Sequence, residues 1–391
     1  MVRYWRRQLS TSCMIVLAAA GAGAAAEYET PKNRLAKDVL PAAVAAGADY
    51  TVGDPVVSDG YMYQFKVKSP YVVFDVTGTG ALRKLEREIW AIGQLKQVTK
   101  SEAFLKSLKD QAGKPLVFAK DVVTKPGETL SGIPKGVGRL FSNASTEITN
   151  TKDPSQESAA RELLLVGSFK RDYAARFEVD PYSSDPVLQA ELDKIGNAVT
   201  SLSKSFNNVL ANEPPSRIRV INEEKLGQMG IAPDLAKRYL DHPVFTPRQD
   251  LLLVDSLHRL GAATGRDADL NAARAAADEV EANFFVNMAQ ILRGYHEKQG
   301  PITGITMVGP LTVAQTRSGA AMIPFALDYG VWTENAERLS QELKATYRAP
   351  GFTGGFELWV TGTLSPQGKQ ELQARGFTVV EQVGGRIDIV D

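Results

Sequence analysis

Beyond residue 26 the chain carries three histidines, His242, His258 and His296, and one of them stands where it could work with an acid. Asp255 precedes His258 by one helical turn, and on a helix from about Leu251 the two share a side with Val254. A carboxylate that orients an imidazole makes a general base, which lets a hydrolase activate water without a diffusible cofactor. Asp255 and His258 are therefore the first catalytic candidates, with His242, in the helix-breaking stretch Asp241-His242-Pro243, as a third member. The alternative is a histidine on a helix surface or in a core, bonded locally to Asp255. The histidine spacing fits no zinc signature and no H-E-x-x-H occurs, so no metal set is expected.

Other chemical motifs each break at a named residue. Gly78-x-Gly80 lies between a strand and a helix, as a dinucleotide loop does, but Arg83 takes the third glycine position and no ribose-binding acid follows at the right distance. Gly127 and Gly132 have phosphate-loop spacing, with Ile133-Pro134 where Lys-Ser/Thr must stand. Ser201-x-x-Lys204 matches the S-x-x-K of penicillin-interacting enzymes, yet Ser205-Phe206-Asn207 is adjacent instead of distant and no K-T-G follows. Asp267-x-Asp269-x-Asn271 opens like a calcium loop with Asp278 at its twelfth position, but Ala272 replaces the turn glycine. An aspartate-capped helix start is the simpler expectation there, and no cofactor is expected anywhere.

The first 26 residues set the compartment. Arg3, Arg6 and Arg7 precede an apolar run from Met14 that ends in Ala24-Ala25-Ala26, the pattern of an export signal with a small-residue cleavage site. The run is about 13 residues, short of the roughly 20 that span a bilayer, so no transmembrane segment is expected after cleavage. Arg6-Arg7 is a partial twin-arginine pattern. Cleavage after Ala26 leaves 42 basic against 45 acidic residues, a net charge of −3, and removes Cys13, the single cysteine. A cysteine-free mature chain has no disulfide, thiolate metal site or cysteine nucleophile, and without a basic stripe it is no nucleic-acid binder. The expected location is the periplasm of a Gram-negative bacterium or the medium.

The elements imply a multi-domain α+β protein. A small α+β domain is expected over 27–141: a hairpin of Tyr61–Val67 and Tyr71–Val76 around Ser69-Pro70, then a helix with Leu82, Leu85, Ile89 and Ile92 on one face, and another near 102–112. A polar linker follows over 142–157 and a helical domain over 158–299, with Asp185 capping a helix whose first residue is Pro186. The C-terminal portion, 300–391, reads as α/β: strands Ile302–Val308, Leu311–Thr316 and Ala320–Leu327, a helix from Thr333, then strand Phe356–Thr361, a helix capped by Ser365 and strand Phe377–Glu381, a βαβ unit. Before the linker, Ile133, Val137, Arg139, Leu140 and Phe141 form a Gly-rich, partly basic apolar segment. It either touches a membrane or partner or packs back on its own domain.

Four segments, Asp38–Pro41, Gly132–Phe141, Val179–Tyr182 with Asp185–Leu188, and Tyr329–Thr333, resemble a family of exported bacterial proteins of unknown function. The resemblance implies kinship and export and carries no activity or site residue. The expected role is a non-enzymatic envelope protein that binds another envelope protein, a lipid surface or a small ligand. The alternative is a periplasmic hydrolase of unfamiliar type using carboxylates or the Asp255/His258 pair.

Overall fold

In β2 (Tyr63–Lys68) the apolar Tyr63, Phe65 and Val67 alternate with Gln64, Lys66 and Lys68, which places the first three in a core and the others in solvent. The structure, a computed structural model, describes residues 27–100, 168–196 and 213–390. The leader, the segments 102–112 and 126–141 with Ile133, Val137, Arg139, Leu140 and Phe141, the linker, and the Ser201/Lys204 pair lie outside these residues.

Strand β2 is central in an antiparallel sheet between β1 (Thr51–Ser58) and β3 (Val73–Thr77), and Ser69 closes the β2–β3 turn by donating to the Val72 carbonyl. β1 was not anticipated. Gly53, Asp54 and Pro55 interrupt its apolar pattern, and its register against β2 shifts between Gly53 and Val57, as a bulge at a proline-bearing edge strand does. Two short helices, α1 (Ala36–Val39) and α2 (Ala42–Ala45), precede it.

Helix α3 (Thr79–Lys100) serves two cores. Its Leu82, Leu85 and Ile89 bury against Phe65 and Val67 of the sheet. Ala91, Ile92 and Leu95, further along, join Ala174 of α4 (Ser168–Arg176), Leu188 and Leu192 of α5 (Pro186–Gly196), and Val179 between these two helices. Residues 168–196 thus pack on α3, although their helical pattern had grouped them with the helices that follow. Asp185 caps α5, accepting from the Val187 and Leu188 amides at 2.8 and 3.3 Å.

The helices α6 (Pro215–Gln228), α7 (Pro233–Leu240), α8 (Pro247–His258), α9 (Arg266–Ala273) and α10 (Glu279–Lys298) share one continuous core with the C-terminal sheet, so 213–299 and 300–390 are not packed as separate bodies. Asp278 caps α10, and this helix is buried on most of its circumference, with Phe284, Met288, Ile291 and Leu292 inside. The sheet runs β10 (Phe377–Val380), β8 (Phe356–Val360), β6 (Ala321–Phe325), β5 (Leu311–Thr316), β4 (Ile302–Val308). β4, β5 and β6 pair antiparallel; β6, β8 and β10 are parallel. The anticipated βαβ unit is β8, α12 (Pro366–Ala374, capped by Ser365) and β10. Thr333 caps α11 (Glu334–Thr346). A short parallel pair, β7 (Tyr329–Gly330) and β9 (Thr363–Leu364), completes the fold. Among the described residues no helix is long and apolar enough to cross a membrane.

Helix α9 begins differently from expectation. Its N-cap is Gly265, with φ 76°, and no side chain caps it. A Cβ there would lie 2.0 Å from the Ile305 carbonyl oxygen, so the close approach of β4 leaves room only for glycine. Asp269 is instead buried, accepting from the Thr312 hydroxyl at 2.8 Å. Burial pushes its carboxyl up to about 6, against the pull of that hydrogen bond. A raised acid pKa means the folded state holds the proton more tightly, so the contribution is complete below the ordinary carboxylate pKa of 3.8 and is lost as pH rises to 6 and beyond. Between pH 4 and 7 the protein is expected to lose about 2 kcal/mol relative to Asp269→Asn, which keeps an acceptor for Thr312. Denaturant melts of both proteins at the two pH values measure this; parallel pH dependence would contradict it.

Candidate functional site

Because β6, β8 and β10 run parallel, their carboxyl ends come out along one edge, at Leu327-Asp328, Thr361-Gly362 and Gln382–Gly385. Ligands of open sheets with parallel strands bind in the crevice outside those ends. A cleft of about 640 Å³ occupies that place here. Its remaining walls come from the first turn of α3, the starts of α8 and α10, and Ile389-Val390 of the C-terminal tail.

Two glycines shape it. Gly362 lies so close to β6 that a Cβ would stand 2.0 Å from the Asp328 carbonyl oxygen and 2.5 Å from that of Leu327. Gly78, at φ 95°, turns β3 sharply into α3 and sets Thr79 against Asp328. Asp328 Oδ2 accepts from the Tyr63 amide at 2.9 Å, and Oδ1 accepts from the Thr79 amide at 3.0 Å and from the Thr79 hydroxyl. One carboxylate therefore ties the N-terminal sheet and helix to the end of β6. Burial lifts its pKa above the usual carboxylate range even though these bonds oppose the rise. The Gly78-Thr79-Gly80 turn lines the cleft, but with its central amide engaged by Asp328 it acts as a clamp and not as a phosphate loop.

Charge around the cleft is mixed. Arg34, Arg83, Lys84 and Arg248 line it together with Asp38, Asp180 and Asp328. The Arg34 guanidinium lies 5.1 Å over the Tyr329 ring. Lys84 stands 3.8 Å from Glu88 and 3.5 Å from Glu279; burial works to lower its pKa, and these carboxylates outweigh it and leave the ammonium above its ordinary value. Burial drives Glu88 up to about 7 in spite of Lys84 and a hydrogen bond from Ser183.

Carboxamides form the wall on the α10 side. In the capping box of α8, Gln249 Oε1 accepts from the Thr246 amide at 2.8 Å, and Gln249 Nε2 donates to Asn283 Oδ1 at 2.8 Å. Further along α10, Gln290 clasps the tail: Oε1 accepts from the Val390 amide at 2.8 Å, and Nε2 donates to the Val390 carbonyl at 3.1 Å and to Asn287 Oδ1 at 3.3 Å.

The residues singled out by sequence lie elsewhere. Asp255 accepts from Lys225 Nζ at 2.6 Å and from Arg259 Nε at 2.7 Å. Burial acts to raise its pKa, but these two cations hold it below the ordinary value. His258 does not bond to it: its Nε2 meets Gln228 Oε1 at 2.8 Å. With one cation from α6 and another, Arg259, just past the end of α8, the carboxylate takes full charges in preference to the imidazole. His242 packs edge-on to Phe245 and is held below the ordinary histidine pKa by burial, and His296 Nδ1 accepts from the Ile302 amide at 3.1 Å. Asp255, His258 and His242 are all absent from the cleft lining.

The cleft residues Asn283, Asn287 and Asp328 were passed over in the sequence. Asn283 and Asn287 are four apart within the otherwise apolar run Ala282–Ala289, and that spacing on a buried helix was the available sign. No protein family, curated protein or solved structure compared with the chain matches it.

Proposed function

We propose that this is an exported envelope protein that binds a small polar ligand in the cleft at the carboxyl ends of β6, β8 and β10. The observation that carries the reading is the cleft itself: it sits where sheets of this kind hold ligands, and polar side chains from all three parts of the described chain converge on it. Binding without turnover is favoured because the buried acids of its lining are committed to the fold. Asp328 holds Tyr63 and Thr79, and Asp180 accepts from the Tyr182 amide at 2.9 Å. Export rests on the leader pattern of residues 1–26.

Ala81, in the first turn of α3, lines the cleft. In Ala81→Trp the indole is expected to fill the space. Protein recovered from the periplasmic fraction and examined by native mass spectrometry should carry a small-molecule adduct in the wild type and none in Ala81→Trp, with both folded. An adduct that survives Ala81→Trp, or a wild type that carries no adduct and is not thermally stabilised by any member of a polar metabolite set, sinks the reading.

A further inference from the structure

We infer that the ligand of this cleft is an oxyanion, a carboxylate or phosphate group on a small molecule, and that Asn283 and Asn287 select it by presenting amide donors. This deepens the cleft-binding reading and rests on it. Which end of a carboxamide faces a cleft is normally open, since its oxygen and nitrogen have the same shape. Here the backbone decides it. The Thr246 N–H can only donate, so Gln249 must turn Oε1 toward it; Gln249 Nε2 then donates, and Asn283 must answer with Oδ1. What remains at Asn283 is the Nδ2 amino group.

The second relay runs from the other side with the same sign. The Val390 N–H fixes Gln290 Oε1, and the Val390 carbonyl confirms that Gln290 Nε2 is the donor. Gln290 Nε2 then reaches Asn287, whose Oδ1 accepts, and again Nδ2 is left over. Both asparagines line the cleft, and among the described residues neither Nδ2 has a partner within the chain.

The other polar groups lean the same way. The Asp328 oxygens are both engaged by Tyr63 and Thr79. Arg83, exposed on α3, and Arg34, stacked on Tyr329, make no ion pair among the described residues. Helices α3, α8 and α10 all start at the cleft, so the positive ends of their dipoles face it. Asp38, exposed, and Asp180 are the groups that count against an anion. A neutral ligand with both donors and acceptors would leave its donors facing amide hydrogens and guanidinium groups, whereas an oxyanion at Asn283, Asn287, Arg34 and Arg83 meets donors.

Asn283→Asp and Asn287→Asp test this directly, because each keeps the inward oxygen that its glutamine partner needs and turns only the outward amino group into an anionic oxygen. Wild type, both variants and Ala81→Trp would be titrated calorimetrically with inorganic phosphate and with succinate, and with glycerol and putrescine as neutral and cationic probes. The expected result is saturable binding of phosphate or succinate to the wild type, weakened about tenfold or more in each aspartate variant at an unchanged melting temperature, and lost in Ala81→Trp. Which of the two anions binds tells phosphate from carboxylate recognition. Equal anion affinity in wild type and aspartate variants overturns the inference. So does binding of glycerol or putrescine, but of neither anion, that Ala81→Trp abolishes; that outcome leaves the cleft a binding site. If nothing binds and the polar metabolite set is also without effect, the cleft-binding reading itself fails.

Discussion

Gly362→Ala is expected to lower the melting temperature by about 4 °C or more, the result of a loss near 3 kcal/mol or more in a chain of this size. The added methyl would stand 2.0 Å from the Asp328 carbonyl oxygen and 2.5 Å from that of Leu327. Both obstacles are backbone, so no side-chain rotation relieves them, and β6 and β8 must part at their carboxyl ends. Gly384→Ala is the matched control, because it lines the same cleft and a Cβ there meets nothing within 4 Å. That variant is expected to melt within about a degree of wild type, with a small gain from the stiffer unfolded chain. Equal effects of the two substitutions would show that the contact between β6 and β8 is not tight.

Asp328→Ala is expected to cost about 3 kcal/mol and to do so unevenly. The substitution leaves the Tyr63 and Thr79 amides and the Thr79 hydroxyl without their acceptor. The sheet of β4, β5, β6, β8 and β10 keeps its own ladder, while the β1–β3 layer loses the carboxylate that joins it to the end of β6 and keeps the backbone bonds of Gly60 and Tyr61 to Val331, Asp328 and Tyr329. Hydrogen exchange followed by mass spectrometry should therefore show faster exchange over 51–95 and little change over 302–380. Asp328→Asn should fall between the two, since its oxygen can serve one donor group but its amino group faces another donor. Uniform acceleration across the chain would mean that Asp328 supports the core generally and is not a tie between layers.

Much of the architecture was legible because it is written in neighbouring residues. Asp185-Pro186, Thr333 and Ser365-Pro366 start helices through bonds that span only two or three positions, and each was read correctly. The βαβ unit followed from alternating apolar strands around a capped helix. β1 escaped because a bulge and Pro55 erase the alternation that marks a strand. The cleft was illegible for a different reason. Its defining bonds, Asp328 to Tyr63 and Thr79, Gln249 to Asn283 and Gln290 to Val390, join residues 34 to 265 positions apart. No periodicity reports such a pairing. Attention to histidines and acids also pointed away from it, toward an Asp255 already held by two cations, while the groups that face the cleft are plain amides on an apolar helix.

The tie at Asp328 also orders events in time. Synthesis delivers the β1–β3 layer and α3 early, yet their acceptor follows Tyr63 by 265 residues and Thr79 by 249. Until β6 is made, the Tyr63 and Thr79 amides have only water, and closing so long a loop carries an entropic cost that local strands and helices avoid. The early layer can therefore complete its bonds to Asp328 only when the C-terminal sheet is made. A molecule that occupies the cleft can hold only this last arrangement, so it acts on the docking step and leaves the earlier ones unchanged.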